Sequence, residues 1–123
     1  MPTDIANRAR ALWDRLNEAS GKYGGVELCA VTKTVPAEIV NEIWEAGVTL
    51  IGENRAQELM AKLPGLKHDF KIHMIGRLQT NKVRTIAGAV DMIQSLDRMA
   101  LAEEISKRSA RRPMPVLVEV NIG

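Results

Sequence analysis

Lys33 stands directly after the apolar run V-E-L-C-A-V-T at 26–32. A lysine where a buried strand opens into a mouth is partly shielded from water, and its amine is available as a nucleophile. Such an amine condenses with an aldehyde to a Schiff base. The competing reading is a lysine whose stem packs along the strand end while its ammonium reaches solvent. His73 lies inside a second apolar segment, F-K-I-H-M-I-G at 70–76, and by itself also reads as a hydrogen-bonded interior histidine. Glu53 and Asn54 follow V-T-L-I-G (48–52), where they either face a site or cap the next helix. Gln79-Thr80-Asn81-Lys82 reads as a helix start. Glu119 and Asn121 share a face of V-L-V-E-V-N-I (116–122). On a central strand such a polar pair costs free energy unless it is hydrogen-bonded. His68 is the only other histidine and Cys29 the only cysteine, so no metal site and no disulfide framework is expected.

These residues must be held by a repeating frame. Residues 3–22 carry Ile5, Ala9, Leu12, Trp13 and Leu16 at helical spacing, with Thr3 as a candidate N-cap and Gly21 and Gly24-Gly25 ending the segment. Strands are expected at 26–32, 48–52, 70–76, 90–95 and 116–122. Helices are expected at 36–46, 54–62, 79–88 and 97–110. Strand, helix, strand at about 20–26 residues per unit implies right-handed crossovers and a parallel sheet covered by helices. Within 70–76, Lys71, His73 and Ile75 share one face, and Ile72 and Met74 the other. In 116–122, Leu117, Glu119 and Asn121 oppose the apolar Val118, Val120 and Ile122. A polar face opposite an apolar one fits a barrel with a polar lumen better than an open doubly wound sheet. Eight such units need roughly 200 residues. The 123 residues here supply five strands, so the expectation is a single incomplete (β/α)8 barrel domain over 1–123. Its first and last strands would have unpaired edges, which calls for self-association or a complementing chain.

Composition narrows the function. Seventeen basic and fifteen acidic residues leave a net charge of +2, with no run of like charge. The densest basic cluster, Lys107-Arg108 and Arg111-Arg112, ends a predicted helix, where it matches the helix dipole. Two Trp, one Tyr and one Phe are too few for base-stacking platforms, so nucleic-acid binding is not expected. Apolar residues make up 46%, which suffices for a packed core. Cys29, in an apolar run, reads as a small core residue. No secretory signal and no apolar run near 18 residues is present, so a cytoplasmic protein that avoids membranes is expected.

At the same residues the sequence resembles the pyridoxal phosphate homeostasis proteins, also called proline synthase co-transcribed homologues. The pieces that carry the resemblance are A-V-T-K-T-V-P (30–36), I-G-E-N-R-A-Q-E (51–58), I-H-M-I-G-R-L-Q-T-N-K (72–82), S-L-D-R (95–98) and V-L-V-E-V-N-I-G (116–123). The resemblance implies a (β/α)8 barrel of the alanine racemase N-terminal type. It implies pyridoxal 5′-phosphate held as a Schiff base on Lys33, with Asn54 and His73 lining the cofactor mouth. It also implies a role in storing, carrying or buffering the cofactor, with no robust turnover of amino acids and no catalytic residues. A full family member is roughly twice as long, and its later G-M-S-x-D and G-[ST]-x-x-R-[IV]-G segments hold the phosphate. Those segments are absent here, so weakened binding is expected.

Two further readings stand beside this one. A racemase-type enzyme on the same barrel would need an acid–base group across the cofactor ring, and Tyr23, the only tyrosine, precedes the first strand. A half-barrel fragment that self-associates without cofactor would bury its open edges instead.

Overall fold

A computed structural model of the chain describes residues 3–123. The first helix, α1 (Asp4–Ser20), starts as the sequence predicts: Thr3 Oγ1 accepts a hydrogen bond from the Ala6 N–H at 3.1 Å. It ends at Gly21, which takes a left-handed φ of 45°. Its Trp13 ring approaches Gly47, and Arg10 donates to the Glu45 carbonyl at 2.5 Å, so α1 docks on the 3-10 turn Trp44–Ala46.

Five strands follow: β1 (Cys29–Val31), β2 (Leu50–Glu53), β3 (Lys71–Met74), β4 (Met92–Leu96) and β5 (Val116–Val118). Between them lie α2 (Ala37–Asn41), α3 (Ala56–Lys62), α4 (Thr80–Ile86) and α5 (Met99–Arg108). Every pairing is parallel and the spatial order is β1-β2-β3-β4-β5. The order never reverses, so the sheet has none of the switch points of a doubly wound fold. Right-handed crossovers taken in one direction put every helix on the same side. This is a partial (β/α)8 barrel of about five strands, with the leading helix the sequence predicts.

The two faces separate as alternation requires. Ile51, Ile72, Met74 and Ile93 face the helices and pack with Leu59, Val83, Ile86, Leu101 and Ile105 in one buried cluster. Val31, Gly52 and His73 stand side by side on the opposite, lumen face. Val31 is 54% exposed while Ile51 is 0% exposed, which shows how open the lumen side is.

Several expected elements are shorter than their apolar patterns. The 36–46 helix breaks after Asn41, whose carboxamide bonds instead to the 65–67 loop, donating to Gly65 O and accepting from Lys67 N, both at 2.9 Å. The first strand occupies only 29–31 of the expected 26–32. The last strand ends at Val118. Its neighbour β4 ends at Leu96, whose carbonyl takes the Glu119 N–H at 2.7 Å, and beyond that the backbone has no strand to pair with. Val120 and Ile122, expected on a helix-covered face, are therefore exposed at 71% and 94%.

Candidate functional site

Parallel strands bring all their C-terminal ends to one rim, where sites on such barrels lie. Lys33 is on that rim, in the turn that leaves β1. The β1–β2 ladder continues through the Thr32 N–H to the Gly52 carbonyl at 3.1 Å. Lys33 follows this last rung by one residue, and Asn54 directly follows β2. One layer below on the lumen face is the row Val31, Gly52, His73, Met92. Of the predicted trio, His73 lies in β3, while Lys33 and Asn54 lie in the segments that leave β1 and β2 at the same rim.

His73 is half-buried, and its Nδ1 lies 2.8 Å from the Gln94 carboxamide nitrogen. A carboxamide N–H2 only donates, so Nδ1 accepts and a neutral His73 carries its proton on Nε2. Asn54 is half-buried at the end of β2. Gly76, just after β3, lies so close that a Cβ there would stand 2.8 Å from Asn54 Cα. That approach fixes the backbone of the rim between β2 and β3.

Below the Lys33 turn is a buried ionic cluster. Lys62 Nζ donates to Glu53 Oε2 at 2.9 Å and to the Thr32 carbonyl at 2.7 Å. Glu53 Oε2 also accepts from Thr32 Oγ1, and Glu58 Oε1 lies 3.5 Å from Lys62 Nζ. The Lys62 and Glu53 side chains are 5% and 0% exposed, so this pair is shielded from solvent. Glu58 Oε1 accepts the Thr34 N–H, one residue past Lys33.

Several expectations change here. Lys33 is exposed in its turn, where the strand pattern suggests a partly sheltered amine. Glu53 neither caps α3 nor faces the lumen: the N-cap position is Arg55, and Glu53 points to the helix side. Glu119 and Asn121 are exposed beyond β5, and Asn121 Oδ1 accepts the Gly123 N–H, so no buried polar cost arises. Cys29 is half-buried; burial, and then the negative charge of Glu27, push its thiol pKa up. Lys62, Glu58 and Gln94 escaped the sequence reading. The signal for Lys62 was present: it continues the buried positions Ala56 and Leu59 at three-residue steps, where a lysine needs a partner.

Residues at and near this rim carry an amine, an imidazole and a carboxamide, groups whose chemistry suits an aldehyde with polar substituents. A separate cleft, lined by Ala89, Asp91, Arg108, Arg112 and Met114, lies before β4 and β5 at the opposite rim. Among the described residues no group of three or more His, Cys, Asp or Glu is arranged to hold a metal ion. None of the described helices is long and apolar enough to cross a membrane.

No protein-family model matches the chain. It is 43% identical over 127 residues to the pyridoxal phosphate homeostasis protein of Aquifex aeolicus, a match covering 98% of this chain and 56% of that protein. The protein of the same name from Pasteurella multocida is 33% identical, with 98% of this chain and 54% of the relative covered. Among solved structures, PipY of Synechococcus elongatus without PLP superposes with a TM-score of 0.85 at 34% identity, covering 98% of this chain and 55% of PipY. PipY with PLP bound gives 0.76 at 37% identity, over 87% of this chain and 49% of PipY. The chain spans about half the length of the curated relatives it matches.

Proposed function

We propose that this chain, a relative of the pyridoxal phosphate homeostasis proteins over about half of their length, binds pyridoxal 5′-phosphate as a Schiff base on Lys33. Its role is to hold and hand on the cofactor in the cytoplasm, not to turn over amino acids. The observation that supports the reading is that Lys33 and Asn54 leave two adjacent parallel strands at their C-terminal ends, beside the strand that carries His73. The likeness to a structure described with PLP bound supports the ligand. When bound, the cofactor supplies an electrophilic aldehyde and an electron-withdrawing ring.

The chain's own residues divide the work. Lys33 provides the amine that joins the aldehyde. His73, held by Gln94, presents Nε2–H to the lumen. Asn54 offers a neutral carboxamide directly past the end of β2. No tyrosine stands at the rim, since Tyr23 precedes β1 and is 81% exposed, which favours storage over racemisation. In these 123 residues alone, the covalent bond and the rim contacts would carry the affinity, so binding would be weaker than in a longer relative. Mixing the chain with pyridoxal phosphate should give the absorbance of a protonated Schiff base, and Lys33→Ala should abolish it. A wild-type chain with no new band refutes the assignment.

Self-association or a complementing chain is the second part of the proposal. β1 and β5 each pair on one side only, and Val118, Val120 and Ile122 beside the β5 edge are largely exposed. A second sheet edge with apolar cover would satisfy both features. Solution mass measured across a concentration series tests it; a monomer at every concentration, alone and with pyridoxal phosphate, refutes self-association.

A further inference from the structure

Thr34 has φ 62°, the only non-glycine residue at positive φ among the described residues. It follows Lys33 in a turn closed by the Val35 N–H to the Thr32 carbonyl at 3.0 Å. A left-handed third position normally favours Gly or Asn, and a β-branched threonine there is strained. Such strain persists only where surrounding contacts over-determine it, and it gathers at functional sites. Here both flanks of Lys33 are held. Lys62 Nζ takes the Thr32 carbonyl, and Glu58 Oε1 takes the Thr34 N–H. Glu58 is aligned by Lys62, which is itself anchored on buried Glu53. These contacts come from the helix side of the sheet and do not enter the lumen.

We propose that Glu58, backed by the Lys62–Glu53 pair, is a positioning residue for Lys33: its carboxylate locks the 32–35 turn in its left-handed form and so sets where the Lys33 amine enters the lumen. The inference rests on the assignment of Lys33 as the amine that captures the cofactor. It adds that the reach of this amine is controlled from outside the lumen, by a helix residue 25 positions further along the chain. A lysine tethered only by β1 would sample many directions. Fixing its two backbone neighbours sets the direction in which the Lys33 side chain leaves the turn and so narrows the region its amine can reach.

Three variants of the full chain separate the possibilities: Glu58→Ala, Glu58→Gln, and Glu58→Ala combined with Thr34→Gly. Glu58→Gln keeps an acceptor for the Thr34 N–H. The double variant removes the strain that the acceptor opposes. Circular dichroism verifies that each is folded. Two readouts are taken: hydrogen exchange at the Thr34 and Val35 amides, and the rate of Schiff-base formation at Lys33 with pyridoxal phosphate and with propanal. In Glu58→Ala, exchange should be faster and capture of pyridoxal phosphate about tenfold slower. Propanal, which needs no lumen contact, should react at the wild-type rate. Glu58→Gln and the double variant should recover most of the loss. Unchanged exchange in Glu58→Ala overturns the inference, as does faster exchange with an unchanged rate of cofactor capture. A wild-type chain that condenses with propanal but not with pyridoxal phosphate refutes the Lys33 assignment itself. That outcome is visible before any variant is made, so the two failures are distinct.

Discussion

Lys62 Nζ lies 2.9 Å from Glu53 Oε2, a contact that crosses from the last turn of α3 to the end of β2 with both side chains almost wholly buried. The same ammonium caps the Thr32 carbonyl at the end of β1. One lysine therefore ties two strand ends and a helix together directly beneath the Lys33 turn. Removing one partner leaves an uncompensated buried charge. Lys62→Met should cost about 3–5 kcal/mol of stability, read by urea unfolding. Lys62→Met with Glu53→Leu should recover much of that, because apolar replacements of similar volume are often neutral. A single variant as stable as wild type would show that water reaches the pair.

Lys33→Ala should leave stability within about 0.5 kcal/mol of wild type, because the side chain is exposed. The same change should abolish the Schiff-base absorbance. Loss of the band together with a large loss of stability would instead assign Lys33 a structural role.

Gly76→Ala should be costly although the change is one methyl group. The added carbon meets the main chain of Asn54, which cannot swing away as a side chain can. A loss of about 1–3 kcal/mol is expected, with weaker cofactor capture because the β2–β3 rim must shift. Gly88→Ala is the control, since a Cβ there meets nothing within 4 Å.

Cys29 gives a prediction about pH. Burial, helped by the charge of Glu27, raises its pKa in the folded state above the unfolded value. The folded chain then holds the thiol proton to higher pH than the unfolded chain does. Stability from this group is complete below the unfolded thiol pKa and is lost as pH rises through the folded one. Alkylation of Cys29 at mildly alkaline pH should be slower in the folded chain than in urea. Cys29→Ser should flatten the alkaline decline in stability. Equal alkylation rates in the two states would contradict the assigned shift.

Val120→Lys should weaken self-association while leaving the monomer's fold intact, because Val120 is 71% exposed and lies outside β5. Sedimentation at several concentrations checks this. An unchanged mass distribution would move the interface away from the β5 edge.

The alternation of Lys71, Ile72, His73 and Met74 by itself puts His73 on the lumen face, and the repeat of apolar runs and helices implies five parallel strands. Lys33 was legible as the residue at a strand's exit. Its exposure was not, because shelter depends on what stands across the lumen. The ends of the strands were overestimated for a related reason: Val120 and Ile122 have strand-like residue types, but a strand ends where its neighbour does, and Leu96 ends β4. Glu53 looked like a helix cap or a site residue because both readings are local.

Periodicity within a segment determined by itself which side chains face the helices and which face the lumen, since that depends only on the geometry of one strand or helix. Which charges meet was decided by the packed tertiary structure. Thr32, Glu53, Glu58 and Lys62 lie up to 30 residues apart, and an ammonium loses its water only once α3 is laid against the sheet. The strained turn at Thr34 belongs to that second category: its φ is held by Glu58, 24 residues away, and no pattern in A-V-T-K-T-V-P could reveal it.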